Sequence, residues 1–143
     1  MTNRIADDHL DAWRAMLNTH ARLTTHIEDA LDGAGLPQLA WYDVLWALHR
    51  APGKTLRMGE LAQEVTISRS GLTRLVDRIE AEGLLERRQS PADRRAVEVA
   101  ITPAGSRLLR KMWPVYEDVL RSEFEAKLTR ADAQALRRAL AKI

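Results

Sequence analysis

The chain has 143 residues, the usual length of a single domain, and 22 Lys and Arg against 20 Asp and Glu give a formal net charge of only +2. Its composition, 45% hydrophobic and 29% charged, is typical of a globular protein that buries a core without metal or disulfide support. Cysteine is absent, which excludes thiol catalysis, thiolate metal sites and cysteine redox sensing. Neither a membrane-spanning apolar run nor a secretory signal is present, so we expect a cytoplasmic protein without a membrane partner.

The charge is unevenly distributed along the chain. Residues 1–50 carry a formal charge of −3, residues 51–111 carry +4 and residues 112–143 carry +1. Arginine, which suits phosphates and guanine edges, supplies 18 of the 22 cations. All aromatic residues lie outside residues 47–112, whereas single-strand binders place stacking aromatics among their basic residues. The pattern favours a duplex over single-stranded nucleic acid, and an ordinary solvated surface is the alternative.

Hydrophobic spacing predicts the elements of the first half of the chain. A long amphipathic helix, with Asp7 or Asp8 as its cap, continues to a glycine-rich stop at Gly33. We expect a second helix at about 38–50 and a short extended segment at 55–57. Two further helices, at 59–65 and 68–82, are separated by the tight connection Thr66-Ile67, and Gly83 ends the second of them.

From Leu84 onward the hydrophobic period changes to two, which predicts a hairpin of strands at 84–89 and 96–102. On the second strand we expect one face toward the core and the other outward: Val97, Val99 and Ile101 inward, Glu98 and Ala100 outward. Thr102-Pro103 starts a helix to about Lys127, which Pro114 should kink. Thr129 caps a last short helix. The fold is therefore mainly α with a small β-hairpin (α+β).

Two short helices, a tight turn and a hairpin together describe a winged helix-turn-helix. On a helical wheel of residues 68–82, the apolar residues share one face, and small and arginine side chains occupy the other. Ser68 as N-cap leaves backbone N–H groups that can meet a phosphate. The alternative is an ordinary surface helix with Arg74–Asp77 and Arg78–Glu82 pairs. The inward residues are Leu72, Leu75, Val76 and Ile79; the outward ones are Ser70, Thr73, Arg74, Asp77, Arg78 and Ala81.

The hairpin also concentrates arginine. Its strands and loop carry Arg87, Arg88, Arg94 and Arg95, a poor place for charge unless the tip faces an anion such as the DNA minor groove. Asp93 lies among them, and we expect it to hold a neighbouring arginine in a charge-assisted pair.

In these motifs the chain resembles the multiple-antibiotic-resistance regulators, the MarR family. The segment from Glu60 to Leu84 is similar to the family's helix-turn-helix, and Asp93-Arg94-Arg95 matches its Asp-x-Arg wing motif. The residues at 101–105, Ile-Thr-Pro-Ala-Gly, match its Leu/Ile-Thr-x-x-Gly motif. Met58-Gly59 departs from the pattern, because the family usually has a Ser or Thr helix cap there. The resemblance extends over essentially the whole chain.

This resemblance implies a sequence-specific transcriptional regulator, a repressor that binds a palindromic double-stranded DNA operator as a homodimer. It implies one domain, 1–143, in which 1–36 and 103–143 are dimerisation helices and 37–102 is the winged helix-turn-helix. Arg95 would enter the minor groove with Asp93 as its orienting partner. Ser70, Thr73 and Arg74 would read bases, while Arg69 and Arg78 would contact phosphates. The full implied DNA-binding set is Ser68, Arg69, Ser70, Thr73, Arg74, Arg78, Asp93, Arg94 and Arg95.

The resemblance also implies a small aromatic or phenolic ligand that lowers DNA affinity. Trp13 and His20 lie on one stripe of the first helix, and Trp46 and Trp113 could meet them. Large aromatic residues dominate cores and dimer interfaces, and this alternative is the more frequent one.

Metal, cofactor and enzymatic functions find little support. The four histidines contain no i, i+4 pair, and there is no thiolate, so we expect no metal or cofactor. Nucleophile motifs and glycine-rich phosphate loops are also absent, so we expect no enzyme. A winged-helix interaction module without DNA is the remaining alternative. Arginine on both the recognition face and the wing tip favours DNA binding over it.

Overall fold

The computed structural model describes residues 4–143. Its helices and strands follow the predicted order α-α-β-α-α-β-β-α-α, with short 3-10 turns at Pro52–Lys54 and Glu125–Lys127. The mainly α fold with a small hairpin is therefore confirmed. The elements are α1 (Asp7–Gly33), α2 (Leu39–Arg50), β1 (Thr55–Arg57), α3 (Met58–Glu64), α4 (Arg69–Ala81), β2 (Leu85–Gln89), β3 (Val97–Ile101), α5 (Pro103–Glu123) and α6 (Arg130–Leu140).

Hydroxyl side chains cap three of the helices as predicted. Ser68 accepts from the Gly71 N–H at 3.2 Å, and Thr102 accepts from the Gly105 N–H at 3.1 Å. Thr129 and Asp132 form a reciprocal capping box at the start of α6. The cap predicted for α1 is wrong, because the N-cap is Ala6 and the two aspartates occupy the first turn. Carboxylates at this position still face the positive end of the helix dipole.

The three strands form one antiparallel sheet in the order β1-β3-β2. Val99 of the central strand is fully buried, as predicted, but the strict in-and-out alternation is wrong for Val97 and Ala100. Val97 is 44% exposed because it pairs only with Gln89 at the far end of the hairpin, beyond the reach of β1. Ala100 is buried because its small side chain lies between the flanking partners Thr55 and Glu86.

A close backbone approach joins α4, the hairpin and α5. The φ of Gly83 is +72°, which ends α4, and its carbonyl accepts a hydrogen bond from the Thr102 hydroxyl at 2.7 Å. A Cβ on Gly105 would lie only 2.0 Å from the carbonyl oxygen of Leu84. A residue with a side chain therefore cannot occupy position 105 without shifting α5, which explains the glycine of the Thr-x-x-Gly motif.

The described chain divides into two compact units. The terminal unit comprises the described residues up to Ala34 together with Val115–Ile143; the winged-helix unit is Gly35–Pro114. In this division the beginning of α5 groups with the winged helix, whereas the sequence interpretation assigned all of 103–143 to the dimerisation helices. The unit boundary falls directly after Pro114, and the kink expected there stays a prediction. α5 ends at Glu123, earlier than predicted, where a 3-10 turn follows.

The winged-helix unit contains an extensive apolar core. Its buried apolar residues come from α2, α3, α4, the sheet and the first part of α5: Tyr42, Val44, Leu45, Ala47, Leu48, Leu61, Val65, Leu72, Leu75, Val76, Ile79, Leu85, Val99, Ala100, Leu109 and Met112. Helix α4 and the hairpin of β2 and β3 are therefore both built on one close-packed body.

The terminal unit has few buried residues by contrast. Within α1 only Ile27 and Leu31 are buried, and no residue of α6 is buried. Of the helices in residues 4–143, none is both long and apolar enough to cross a membrane.

Candidate nucleic-acid interface

The helix α4 divides into a buried face and an exposed face, as the helical wheel predicts. Leu72, Leu75, Val76 and Ile79 are buried, with exposures of at most 4%. Ser70, Thr73 and Arg74 are exposed on the opposite side. The Ser68 side-chain oxygen accepts a hydrogen bond from the N–H of Gly71, the third residue of the helix. The first N–H groups of a helix have no intrahelical acceptor. The N-terminal half of α4 therefore presents small hydroxyl side chains, an arginine and free backbone donors to solvent.

Glycine at position 71 makes this capped start possible. A Cβ at that position would lie 2.9 Å from the Ser68 oxygen and 3.2 Å from a methyl carbon of Ile67. A side chain would thus crowd the cap and the turn between α3 and α4. Glycine in the Ser-x-x-Gly spacing therefore keeps the cap and the turn uncrowded.

Three arginines of α4 have free guanidinium groups. Arg69, Arg74 and Arg78 are exposed, and none of them belongs to an ion pair within residues 4–143. The surface-helix alternative required Arg74–Asp77 and Arg78–Glu82 pairs, and neither forms. Asp77 instead pairs with Arg87 of β2. The three cations are consequently available to an external anion.

A shallow cleft of about 160 Å³ lies beside the N-terminal half of α4. The side chains of Arg69 and Thr73 border it, and Leu72 contributes to its lining together with residues of α3. The Thr73 hydroxyl donates to the carbonyl of Arg69 at 3.0 Å, which fixes its orientation at this edge. The exposed face is thus contoured, and the Thr73 hydroxyl is held in place on it.

The wing loop, residues 90–96 between β2 and β3, is held by hydrogen bonds within the hairpin. The buried Ser90 donates its N–H to the carbonyl of Ala96 at 3.0 Å, and its side-chain oxygen accepts from the Ala92 N–H at 3.3 Å. The Gln89 amide donates to the carbonyl of Arg94 at 2.8 Å. These bonds close the loop at its base. The side chains of Arg94 and Arg95 at its tip are exposed, with no ion pair in the described chain.

Asp93 makes a different contact from the one predicted. Its carboxylate accepts a hydrogen bond from the backbone N–H of Arg95 at 3.0 Å, and not from a guanidinium group. An Asp side chain that bonds the backbone two residues later forms an Asx turn, a local alternative to a side-chain pair. Asp93 therefore orients the main chain that carries Arg95 and leaves its guanidinium free.

Arg87 departs most from the sequence interpretation, which grouped it with the anion-facing arginines. Its side chain is only 25% exposed and turns toward α4. One guanidinium nitrogen lies 2.5 Å from Asp77 Oδ1 and the other lies 2.9 Å from Glu80 Oε1. Burial by itself would lower the pKa of Arg87, but the hydrogen bonds and charges of the two carboxylates raise it above its ordinary value. Arg87 therefore stays charged, and its charge is balanced by carboxylates of the same chain.

Arg88, the next residue of β2, remains on the surface. Its guanidinium lies 4.0 Å from Glu86, and its side chain is 49% exposed. The hairpin therefore contains two classes of arginine: Arg87, locked against α4, and exposed arginines along the strand and tip.

The aromatic residues proposed for a ligand are distributed over both units. Trp46 and Trp113 lie in the winged-helix unit, and both stack on Tyr42 with ring centroids 6.3 and 6.2 Å apart. The sequence interpretation missed Tyr42, although it lies one helical turn before Trp46 on α2. Trp13 and His20 are exposed residues of α1 in the terminal unit.

The stacked rings continue to His49, whose ring lies 5.8 Å from that of Trp46. The His49 Nδ1 atom is buried without a hydrogen-bond partner. Trp46 and Trp113 remain 44% and 40% exposed. Across residues 4–143 there is no group of three or more His, Asp or Glu side chains arranged to hold a metal ion.

Comparisons with known proteins agree with this geometry. A family model described as the MarR family matches residues 34–96. The crystal structure of AbsC, a MarR family transcriptional regulator from Streptomyces coelicolor, superposes with a TM-score of 0.85 at 30% identity, over 97% of this chain and 93% of that one. Sco3205 from the same organism, solved in complex with DNA, gives a TM-score of 0.87 at 26% identity, over 99% and 88% of the two chains.

Two further relatives concern regulation. The Bordetella bronchiseptica protein BpsR, whose structure addresses regulation of DNA binding by 6-hydroxynicotinic acid, gives a TM-score of 0.79 at 25% identity, over 92% and 97% of the chains. The transcriptional repressor IacR of Pseudomonas putida is 29% identical over 87% of this chain and 72% of its own. The alignment with the regulator YsmB of Bacillus subtilis, 34% identical, spans only about half of each chain.

Proposed function

Because the chain belongs to the MarR family of transcriptional regulators, we propose that it represses transcription by binding a palindromic duplex operator as a homodimer. Membership of this family assigns the chain to DNA-binding regulators and not to an enzyme class. The observation that carries the proposal is a set of guanidinium groups on α4 and the wing that have no ion pair within residues 4–143. They belong to Arg69, Arg74 and Arg78 of α4 and to Arg94 and Arg95 of the wing.

The recognition helix is proposed to enter the major groove. Ser70, Thr73 and Arg74 would read base edges, because side chains in the first turns of such a helix reach farthest into the groove. Arg69 and Arg78 would contact phosphates on either side, and the N–H groups behind the Ser68 cap would meet a phosphate oxygen. The exposed positions of these side chains on α4 support the assignments.

The wing is proposed to enter the adjacent minor groove. Arg95 would insert there, since narrow minor grooves attract arginine, while Arg94 would contact the backbone. The Asp93 carboxylate would keep the loop main chain in the conformation that points Arg95 outward. This role as orienting partner replaces the guanidinium pair expected from the sequence.

The dimerisation region is proposed to consist of helices from both ends of the chain, within 1–36 and 103–143. The amphipathic α6 leaves Leu136 and Leu140 more than 40% exposed. On α1, Trp13 and Leu17 are 53% and 48% exposed. Exposed apolar side chains on two helices of one unit indicate a surface that a partner covers. A second copy is the partner that a palindromic operator requires.

A small aromatic ligand is proposed to release the protein from DNA. The exposed Trp46 and Trp113 rings flank Tyr42, an arrangement that suits a planar aromatic molecule. Trp13 and His20 of the terminal unit stay a prediction from the sequence. BpsR, whose DNA binding is regulated by 6-hydroxynicotinic acid, supports this class of ligand. A regulator of this kind would act in the cytoplasm.

The decisive experiment is selection of genomic DNA fragments by the purified protein, followed by sequencing. The expected result is enrichment of fragments that share an inverted repeat, with half-site centres about 34 Å apart. The matched control is the Arg74→Ala/Arg95→Ala variant, which keeps the fold because both side chains are exposed and unpaired. Equal enrichment by wild type and control would refute the proposal and favour the interaction-module alternative.

Repression and ligand release need a second measurement. A promoter that contains the selected repeat should drive less reporter expression when the protein is present. Adding aromatic carboxylic acids should restore expression and change tryptophan emission. Higher expression in the presence of the protein would reverse the proposed sign of regulation.

A further inference from the structure

The base of the wing and the recognition helix are joined through one side chain. We propose that Arg87, held between Asp77 and Glu80, is a positioning residue that fixes the wing relative to α4 so that both reach the same duplex. The inference rests on the proposed function, because it assigns these three residues a role in DNA binding without contact to DNA.

The contacts fix Arg87 at both its main chain and its side chain. Glu80 Oε1 accepts from the guanidinium at 2.9 Å, and its other oxygen accepts from the Arg87 backbone N–H at 2.7 Å. Asp77 accepts from the second guanidinium nitrogen at 2.5 Å. A planar guanidinium bridging two carboxylates restricts both direction and distance, which a single ion pair does not. We call these three residues the wing clamp.

The register of the sheet continues this fixation across the hairpin. Arg87 lies opposite Val99 on β3, and directly opposed residues of an antiparallel pair share one face of the sheet. Val99 is fully buried in the core of the winged-helix unit. The same face of the hairpin is thus held by a buried valine on one strand and by the wing clamp on the other.

The wing clamp adjoins the proposed DNA contacts, since Asp77 lies next to Arg78, but its carboxylates pair with Arg87 and carry the same sign of charge as a phosphate. Asp77 is seven residues after Ser70, a distance of about 10 Å along a helix. Arg95 lies eight residues beyond Arg87, on the far side of the wing loop. The wing clamp therefore acts on binding by aligning α4 and the wing. Because α4 and the wing are already aligned, less conformational entropy is lost when both dock on the same duplex.

Charge and geometry make opposite predictions for removal of the wing-clamp carboxylates. If Asp77 and Glu80 acted only through their charge, neutralising them would strengthen binding to any duplex, because fewer negative charges would face the phosphates. If they position the wing, neutralising them weakens binding to the operator. Arg87→Lys separates the same two causes, since lysine keeps the charge but cannot bridge two carboxylates in a planar fork.

The test measures the affinity of the purified protein for the operator recovered by genomic selection, and for an unrelated duplex of equal length. We expect Glu80→Gln and Arg87→Lys each to weaken operator binding by about tenfold, with little loss on the unrelated duplex. Glu86→Gln is the matched control, because it removes the same charge from the neighbouring strand position outside the wing clamp. We expect it to bind the operator at least as tightly as wild type.

A double-mutant cycle supplies a readout that a merely structural role would not move. Arg95→Ala is measured in the wild-type and Glu80→Gln backgrounds. Positioning predicts that Arg95→Ala weakens operator binding by a smaller factor in the Glu80→Gln background, because a misaligned wing has already lost part of its contact. Asp77→Asn, at a carboxylate whose side chain is 59% exposed, repeats the cycle should Glu80→Gln lower the thermal unfolding midpoint.

The outcomes separate this inference from the proposed function. Wild-type protein that selects no DNA would overturn both. Wild-type protein that binds an operator would overturn the wing clamp alone if the carboxylate variants bind as tightly as wild type or more tightly. Independent, multiplicative effects of Arg95→Ala and Glu80→Gln would also overturn it and would leave operator binding intact.

Discussion

The winged-helix unit and the terminal unit distribute apolar side chains in opposite ways. The winged-helix unit buries leucines and valines from four helices and the sheet, and its exposed surface carries several arginines without an ion pair in the described chain. In the terminal unit, α6 has no buried residue although it carries apolar leucines at helical spacing. Burial of apolar surface is the main favourable term in folding. The winged-helix unit therefore has an apolar core of its own, while the terminal unit leaves apolar side chains of α1 and α6 exposed.

The largest expected effect lies in the core of the winged-helix unit. Leu45→Ala removes a fully buried side chain and should lower the free energy of unfolding by about 2–5 kcal/mol. Chemical denaturation monitored by circular dichroism measures it. The loss should not depend on protein concentration if this core is complete within one chain. A loss that shrinks as concentration rises would show that the core itself requires the partner.

The next effect tests the surface of α6. Leu136→Asp should weaken self-association by about 2 kcal/mol or more, because it places a charge on the apolar stripe proposed to be covered in the dimer. Sedimentation over a concentration series measures it. Gln134→Asp introduces the same charge on the opposite face of α6 and should leave the association constant unchanged. Equal effects of both variants would contradict the assignment of this stripe to the interface.

The third effect concerns the arginine-rich surface of the winged-helix unit. Arg95→Ala should cost about 1–3 kcal/mol in operator binding, because it removes the proposed minor-groove contact. Fluorescence anisotropy with the selected operator measures it. Arg88→Ala, which removes an exposed arginine beside Glu86 from the same hairpin, is the control and should cost less. A larger loss for Arg88→Ala would move the minor-groove contact away from the tip.

The smallest effect separates a phosphate contact from a base contact. Arg69→Ala should weaken binding about evenly across DNA sequences and reduce the slope of log affinity against log salt by roughly one unit. Titrations of operator and unrelated duplex at several salt concentrations give both slopes. Arg74→Ala should instead lose more affinity for the operator than for the unrelated duplex. A sequence-dependent loss for Arg69→Ala would reassign it to base reading.

The features predicted most closely from sequence are those fixed by residues only a few positions apart. The buried and exposed faces of α4 follow from the helical period, and the Ser68, Thr102 and Thr129 caps follow from hydroxyls placed three residues before a helical N–H. Arg69 and Arg74 are exposed because they lie on the polar side of α4, and Arg94 and Arg95 are exposed because they lie in the loop between β2 and β3. The α1 cap was mispredicted because the helix already begins at Asp7, so both aspartates fall in its first turn and Ala6 becomes the N-cap.

Tertiary structure alone decided which charged and small residues have structural partners. The carboxylates that hold Arg87 are 10 and 7 residues away, on a helix that the hairpin reaches only after the chain reverses. Gly105 is required by the carbonyl of Leu84, and Ala100 is buried by strands on both sides. Sequence periodicity specifies which face of an element is apolar, because that depends on backbone geometry within the element. It does not specify what the face meets, because that depends on how distant segments pack in three dimensions.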